Sequence, residues 1–419
     1  MSGQVYITGL GVVSPIGTGK AAFLAGLREG RCGLGAIEGL RADDLRIGRG
    51  GEVRLDAAKG EEGRDGRCLA FALLACREAI EDAGLTGALP PVTALALGSG
   101  AGEMREMERT LGPPEGDIPL EHSDPLQAPN SITSKLAGRL GLRGRQLTFI
   151  NACAAGAQAI AVAGDLVRSG RAEVALAGGV EVLSRMVLSG FEALRAVSPA
   201  GPRPFDAGRD GIQLAELAAF VMLESEQRVR ERDARPYARL AGSGASADAF
   251  HPVRPDERGA GAALALRRAL TDASIGADEV DYVNAHGTGT VQNDPAELAA
   301  LTAVLGERAI RVPISSTKAM LGHALGASGA AEVVACALAV REGFLPPTIG
   351  WARPIEGYEA FDFVPGHARE GVALRHAVSN AFAFGGNNVV LVLSSPEPSG
   401  NRDTSDSPLY TEDSNGTAR

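Results

Sequence analysis

The chain has 419 residues, of which 45% are hydrophobic and 22% charged, so it is expected to be globular with two domains or two fused halves. It has 41 Lys and Arg residues and 51 Asp and Glu residues, and the resulting net charge of −10 argues against nucleic acid as the main partner. The five cysteines are odd in number and widely spaced, which favours reduced thiols in the cytoplasm over a disulfide framework or a zinc site. No run approaches the roughly 18 apolar residues that a membrane span needs.

Short apolar runs alternate with longer helical patterns along the chain, which predicts an α/β protein. In the first half the predicted strands are 4–10, 92–98, 146–151 and 173–178, and the predicted helices are 67–84 and 153–169. In the second half the predicted strands are 237–248, 279–284, 312–316, 373–379 and 388–394, with helices at 259–273, 295–305 and 327–342. Strands and helices alternate in a similar way in both halves, which predicts two similar halves, 1–240 and 241–395. One large sheet is the alternative.

Two segments are predicted to lie outside regular structure. Residues 111–129 are rich in proline and are expected to form a loop. Residues 396–419 are polar and rich in Ser, Asp, Pro and Gly, so they are expected to be a disordered tail outside the catalytic unit.

Three segments place reactive side chains among small residues. They are NACAAG at 151–156, NAHGTGT at 284–290 and KAMLGH at 318–323. Their thiol, Cys153, and their imidazoles, His286 and His323, suit acyl transfer through a thioester, in which the thiolate attacks and the histidines handle charge and protons.

The surroundings of Cys153 predict a nucleophile. A strand-like run ends just before it and a helix of small residues begins just after it, which is the pattern of a nucleophile elbow. The helix N-terminus is expected to favour the thiolate and to lower the pKa of this cysteine. The other four cysteines are interpreted as buried structural residues.

In this order the three segments resemble the Cys-His-His set of the β-ketoacyl-acyl-carrier-protein synthases, condensing enzymes of the thiolase superfamily. The resemblance extends from residue 3 to about residue 395. It implies a thiolase-like fold of layered αβαβα architecture, with the nucleophile in the half 1–240 and the histidines in the half 241–395.

The resemblance also implies residue roles. Two neutral histidines, His286 and His323, would donate hydrogen bonds to the thioester carbonyl of a malonyl-carrier substrate and promote its decarboxylation. Lys318 would organise the histidines and the cysteine, and Glu332 would pair with this lysine. A solvated glutamate on a helix face is the alternative for Glu332.

Residues 379–388 (SNAFAFGGNN) resemble the glycine-rich gating loop of the family. The backbone amide of Phe384 would join that of Cys153 in an oxyanion hole, and its ring would gate the acyl pocket. Phe382 and Gly385 are assigned to the same gate.

Further residues and partners follow from the resemblance. Thr288, Thr290 and Ala101 are assigned to substrate binding. No metal and no cofactor of the enzyme's own are expected, because the substrates arrive on the phosphopantetheine arm of an acyl carrier protein. The expected partners are that carrier and a second subunit, which is either a copy of this chain or a chain-length-factor homologue.

Three departures from the family pattern favour a specialised type II polyketide enzyme over a fatty-acid elongation enzyme. Residues 215–219 (AELAA) replace a glycine-rich loop, Ala383 replaces a glycine of the gate, and residues 103–109 form a strongly charged helix start. The charged stretch is interpreted as a solvated face or the mark of a non-identical partner, and 177–181 as a scaffold loop. A thiolase is disfavoured because no cysteine follows Cys336, and a non-catalytic chain-length factor is disfavoured by Cys153.

Overall fold

The computed structural model describes residues 3–40, 45, 47–54, 66–87, 89–111 and 130–396. Residues 112–129 of the loop predicted at 111–129 and residues 397–419 of the tail predicted at 396–419 lie outside these residues, whereas Leu111 ends a helix.

Among the described residues the main sheet has eleven strands: Gly17–Thr18, which pairs only with the first strand, and ten that follow one another across the sheet. These ten are β1 (Val5–Ser14), β2 (Ala94–Gly98), β3 (Gln146–Phe149), β4 (Val174–Glu181), β5 (Leu217–Ser225), β6 (Ala238–Ala247), β7 (Tyr282–Asn284), β8 (Ile314–Ser315), β9 (His376–Ala383) and β10 (Asn387–Ser394). Two-residue strands lie at Gly17–Thr18, Gly35–Ala36, Arg49–Gly50, Phe344–Leu345 and Arg369–Glu370.

Eleven α-helices are found in the described part of the chain. They are α1 (Lys20–Glu29), α2 (Arg67–Asp82), α3 (Met104–Leu111), α4 (Ser131–Leu140), α5 (Ala155–Arg168), α6 (Arg185–Ala193), α7 (Glu226–Glu231), α8 (Ala260–Ala273), α9 (Asn293–Leu305), α10 (Lys318–Leu321) and α11 (Leu325–Glu342). None of the described helices has the length and apolar character needed to cross a bilayer.

The two halves of the sheet have the same topology. The first has the order β3-β2-β4-β5-β1 and the second the order β8-β7-β9-β10-β6. In each half the first three strands are parallel and the remaining pairs are antiparallel. The prediction of two similar α/β halves is therefore confirmed. Strands β1 and β6 join the halves, and since β6 spans residue 240, the division at that residue remains a prediction.

Helices α5 and α11 lie between the two half-sheets. Helix α5 packs on β2 and β4, whereas α11 packs on β4, β5 and β9 and also on α5. All residues of α11 from Leu325 to Val340 are buried, and most are Ala, Gly or Val, because only small side chains fit a helix with a sheet on each side. With α2 and α8 on the outer faces, this arrangement gives the predicted αβαβα layers.

The sequence-based assignment of 215–219 as an altered loop is wrong from residue 217 onward. Leu217 begins β5, which is buried along Leu217–Glu224 and pairs with β1 on one side and β4 on the other. Residues 177–181 are likewise part of strand β4, not of a loop. Both segments lie in the middle of a sheet and lack the alternation of polar and apolar residues that marks a half-exposed strand.

The charged stretch 103–109 is not a solvated face. Glu103 is buried and forms an ion pair with Lys135 at 2.8 Å, and Arg105 donates to Glu216 at 3.1 Å. The Glu108 carboxylate accepts hydrogen bonds from the backbone amides at the start of α6. These charged side chains make ion pairs and hydrogen bonds to other elements of the same chain, so they give no support for a non-identical partner.

Candidate active site

A cavity of about 440 Å³ brings the three reactive segments together. Cys153, His286 and His323 all line it. The cysteine follows β3 and the second histidine follows β8, which are equivalent strands in the two half-sheets. The duplicated topology therefore brings residues about 170 positions apart to the same place.

Cys153 lies in a short 3₁₀ turn, Ala152–Ala154, between β3 and α5. The preceding residue, Ala152, has a φ of 51°, which makes the turn sharp. The thiol is buried in an apolar cluster with Ile47, Leu214 and Leu325. A nucleophile at a strand–turn–helix corner agrees with the elbow expected from the sequence.

The expected lowering of the Cys153 pKa is wrong. Burial raises the pKa of the thiol to about 12, although the Lys318 ammonium and the backbone N–H groups of Phe384 and Cys153 itself act in the opposite direction. Desolvation by the apolar cluster outweighs these donors, so the resting protein holds a neutral thiol.

His286 is held by polar contacts from two sides. Its backbone N–H donates to Glu297 at 2.8 Å, and the Lys318 ammonium donates to its backbone oxygen at 2.6 Å. The Lys318 nitrogen also lies 3.3 Å from Nδ1 of the ring. Because an ammonium can only donate, Nδ1 is the acceptor and Nε2 carries the proton. Burial, with the Lys318 charge, lowers the pKa of His286 well below its usual value.

His323 is fixed just before α11. Its backbone N–H donates to Gln213 at 2.7 Å, and its Nδ1 lies 2.9 Å from the hydroxyl oxygen of Ser328. Burial and the nearby Lys318 charge also lower the pKa of this ring well below the usual value. The two imidazoles meet edge to face, with ring centroids 5.4 Å apart, so the cavity contains two neutral imidazoles.

Lys318 and Glu332 form a buried ion pair behind His286. Each side chain is only 2% exposed, which rules out the solvated-face alternative for Glu332. Burial raises the pKa of Glu332 against the opposing effect of Lys318.

The predicted gate lies at the turn between β9 and β10. The Phe384 side chain is 37% exposed and its ring stacks on Phe191, with centroids 5.8 Å apart. Ala383 is extended, with a φ of −139°, whereas Gly385 has a φ of 80°. Ala383 is thus unstrained. The backbone conformation that requires glycine is found at Gly385, the residue after Phe384. Phe382 packs against the His286 ring at 5.8 Å.

The residues predicted to bind substrate fall into two groups. Thr288 and Thr290 line the cavity, with their hydroxyl oxygens 3.0 Å apart. Ala101 does not line it, and its amide donates instead to the Glu181 carboxylate at 3.0 Å. Sequence reasoning missed Glu297 and Ser328, which hold the two histidines. The only signal for Glu297 was an acidic residue in an otherwise apolar stretch of α9.

A buried thiol facing two neutral imidazoles in a duplicated, thiolase-like fold defines a cysteine-dependent acyltransferase. Residues 2–228 match the description "Beta-ketoacyl synthase, N-terminal domain" and residues 237–352 match "Beta-ketoacyl synthase, C-terminal domain". The chain belongs to the beta-ketoacyl synthase family and is a condensing enzyme.

Similar proteins carry different descriptions. The chain is 37% identical over 411 residues to 3-oxoacyl-[acyl-carrier-protein] synthase 2 of Coxiella burnetii, covering 93% of this chain and 98% of the relative. It is also 37% identical over 403 residues to nodulation protein E of Rhizobium meliloti, covering 94% and 99%. A solved structure described as the ishigamide ketosynthase/chain length factor matches with a TM-score of 0.86 at 34% identity, covering 95% of this chain and 100% of that one.

Proposed function

We propose that this enzyme joins an acyl group on Cys153 to the two-carbon unit of a malonyl-acyl-carrier protein, with loss of carbon dioxide. The observation that carries the proposal is the meeting of one thiol and two neutral imidazoles in a single cavity. Such imidazoles can donate hydrogen bonds to a developing enolate without first giving up a charge.

In the first step, the Cys153 sulfur attacks the thioester carbonyl of an acyl-carrier protein. The new carbon–sulfur bond forms at Cys153, the old one breaks, and the thiol proton ends on the released phosphopantetheine sulfur. The amides of Phe384 and Cys153 face this sulfur, where they would stabilise the oxyanion of the tetrahedral intermediate.

In the second step, malonyl-carrier protein enters the same cavity. With Nδ1 of His323 accepting from the Ser328 hydroxyl, the Nε2–H groups of His286 and His323 donate to its thioester carbonyl while the bond to the carboxylate breaks and carbon dioxide leaves. The resulting enolate carbon attacks the acyl group on Cys153, and the carbon–sulfur bond at the cysteine breaks. The Cys153 thiolate then takes up a proton, and the product is a β-ketoacyl-carrier protein two carbons longer.

The test separates the two steps by substitution. We expect Cys153→Ala to abolish the mass increase that follows incubation with acyl-carrier protein. In a Cys153→Gln background, decarboxylation of malonyl-carrier protein is expected to persist and to be lost on His286→Ala or His323→Ala. Acyl loading that survives Cys153→Ala, or decarboxylation that survives both histidine changes, contradicts the assignment.

For the pathway, we favour a type II polyketide system with a chain-length-factor partner. Support comes from the description of the similar solved structure, which names such a pair. The Coxiella burnetii relative supports the alternative, a fatty-acid elongation enzyme. Co-purification with the products of neighbouring genes, followed by native mass spectrometry, distinguishes them: a heterodimer supports the polyketide system and a homodimer the fatty-acid one.

The surface has features that suit both proposed partners. Strand β3 forms an edge of the sheet, and next to it Ile150 is 61% exposed, which suits pairing with a second subunit. The cavity is bordered by Arg195 and Arg254 together with the exposed apolar residue Val291. This mixture suits an acidic carrier protein with an attached pantetheine arm.

A further inference from the structure

Glu181, at the end of β4, is a buried carboxylate that the proposed reaction does not use. It is 1% exposed. One carboxylate oxygen accepts from the Gly100 amide at 2.6 Å and from the Gly326 amide at 3.1 Å, and the other accepts from the Ala101 amide at 3.0 Å. The carboxylate thus joins the turn after β2 to the first turn of α11.

The backbone is packed very tightly around this carboxylate. A Cβ on Gly326 would lie 2.4 Å from the Gly100 nitrogen, and one on Gly156 would lie 2.7 Å from the Gly326 oxygen. Gly156 is three residues after Cys153 and Gly326 is three residues after His323. The helices that follow the thiol and the imidazole therefore touch each other next to Glu181.

The turn that leads from His323 into α11 has a strained backbone. Leu325 has a φ of 40°, in the left-handed region that non-glycine residues rarely adopt. Such a conformation persists only where the surroundings enforce it. The amide of the next residue, Gly326, donates to Glu181, while the backbone of His323 is held by two bonds: its N–H donates to the Gln213 oxygen and its carbonyl oxygen accepts from the Ala215 amide.

We propose that Glu181 is a positioning residue that holds the strained turn after His323 and so sets the place of this imidazole relative to Cys153. The proposal rests on the role proposed above for His323 in decarboxylation. Burial raises the pKa of Glu181 to about 7 against three amide donors, and such an unfavourably buried carboxylate is typical of a functional site.

The first test compares two rates in a Glu181→Gln variant. Glutamine keeps the size of the side chain but replaces one acceptor oxygen with a donor, which faces an amide that also donates. Decarboxylation of malonyl-carrier protein, measured with Cys153→Gln, is expected to fall at least about tenfold relative to acyl loading, measured with Cys153 intact. The reason is that Glu181 bonds the His323 turn and makes no hydrogen bond to α5. Its charge raises the pKa of Cys153, so its removal could speed acyl loading, and decarboxylation itself must therefore also fall below that of the Cys153→Gln protein.

The second test asks whether relief of the backbone strain at Leu325 can compensate for loss of the Glu181 carboxylate. In the Glu181→Gln background, Leu325→Gly should restore most of the lost decarboxylation, because glycine adopts the native φ without cost. Leu325→Ala is the matched control, since it removes the same side-chain contacts but keeps the strain, and it should restore nothing. A folded Glu181→Gln protein with an unchanged ratio of rates, or equal restoration by alanine and glycine, overturns the proposal.

Two further measurements keep the outcomes distinct. Thermal unfolding reports whether Glu181→Gln is folded, and if it is not, Glu181→Asp takes its place, because the shorter acid keeps the charge but retracts from Gly326. His323→Ala is the reference: if it spares decarboxylation, the proposed function fails. In that case the proposal on Glu181 is tested by the NMR chemical shifts of the His323 ring. These shifts must differ between the Glu181 variant and the unsubstituted protein if the carboxylate holds the turn.

Discussion

The thiol of Cys153 combines a position typical of a nucleophile with a strongly raised pKa. Because burial raises its pKa to about 12, the thiol is protonated at neutral pH. The substrate must therefore assist ionisation, and the oxyanion formed next to the Phe384 and Cys153 amides would supply part of this assistance. The free enzyme is expected to be a slow nucleophile towards small reagents.

Alkylation of the free enzyme tests this expectation. Because the pKa is raised, the thiolate fraction grows with pH, and the rate at Cys153 should rise about tenfold per pH unit between about pH 7 and pH 9. The measurement is iodoacetamide labelling followed by mass spectrometry. Cys32 is the internal control, because it is exposed and the interpretation of this cysteine as buried is wrong. A plateau with a midpoint near neutral pH would show instead the low-pKa thiolate that the sequence predicted.

The identity of the reactive residues could be read from the sequence, but their electrostatics could not. Cys153, His286 and His323 were marked by the small residues around them. The pKa of Cys153 depends on Ile47 and Leu214, which are far from it in the chain and approach only in the folded structure. The hydrogen bonds that Glu297 and Glu181 accept from distant amides were equally invisible.

Among the elements, the turn between β9 and β10 carries the most specific functional expectation. If the Phe384 ring gates the cavity, Phe384→Ala should let malonyl-carrier protein lose carbon dioxide before an acyl group has loaded. The ring contributes a stacked contact with Phe191, and such pairs are worth only about 0.5–1.5 kcal/mol, so opening is feasible at room temperature. The measurement is the amount of carbon dioxide released per condensation.

The ratio of carbon dioxide to product should rise above one in the Phe384→Ala protein. If this ring only contributes packing, the substitution would instead lower the thermal stability and leave the ratio at its value in the unsubstituted protein. That second result would remove Phe384 from the gate while leaving its backbone amide in the proposed oxyanion hole.

Helix α5 packs closely on the sheet. A Cβ on Gly98 would lie 2.3 Å from the carbonyl carbon of Ala155, at the start of α5. Gly98→Ala is therefore expected to lower the free energy of unfolding by about 1–3 kcal/mol, and to slow acyl loading because α5 and Cys153 must shift. Chemical denaturation and the loading assay measure the two effects.

Gly138→Ala provides the matched control. This glycine lies within α4, and nothing approaches within 4 Å of the position of its Cβ. Alanine there should raise the free energy of unfolding by about 0.5–1 kcal/mol, because it favours the helix. Equal effects of the two substitutions would contradict the packing described around Gly98.

The elements with a clear period or flanking turns were predicted to within a few residues, as for α2, α5 and β10. Strand β5 was missed because it is covered on both faces, and its residues show no alternation. Helix α3 was expected to face solvent, since its partners lie far along the chain, Glu216 being 111 residues from Arg105. Elements of this kind are defined by their neighbours in the fold more than by their own residues.

At the scale of the whole molecule, the duplicated half-sheets account for the site. Helix α5 begins just after the nucleophile Cys153, and the equivalent helix α11 begins just after His323. Both are enclosed between the half-sheets, so their first turns meet at one cavity. The alternation of strands and helices in the sequence predicted the duplication. The contact between Gly156 and Gly326 could not be predicted and is known only from the structure.

The most direct test of the proposed function is a complete turnover with a labelled substrate. Purified enzyme is first loaded with an acyl group from acyl-carrier protein, then given malonyl-carrier protein labelled with ¹³C at the carbon that the enolate uses. We predict that the acyl mass leaves Cys153, that one carbon dioxide is released, and that the carrier gains a β-ketoacyl chain two carbons longer that contains the label. Loss of the acyl group from Cys153 without a labelled, elongated product would contradict the account.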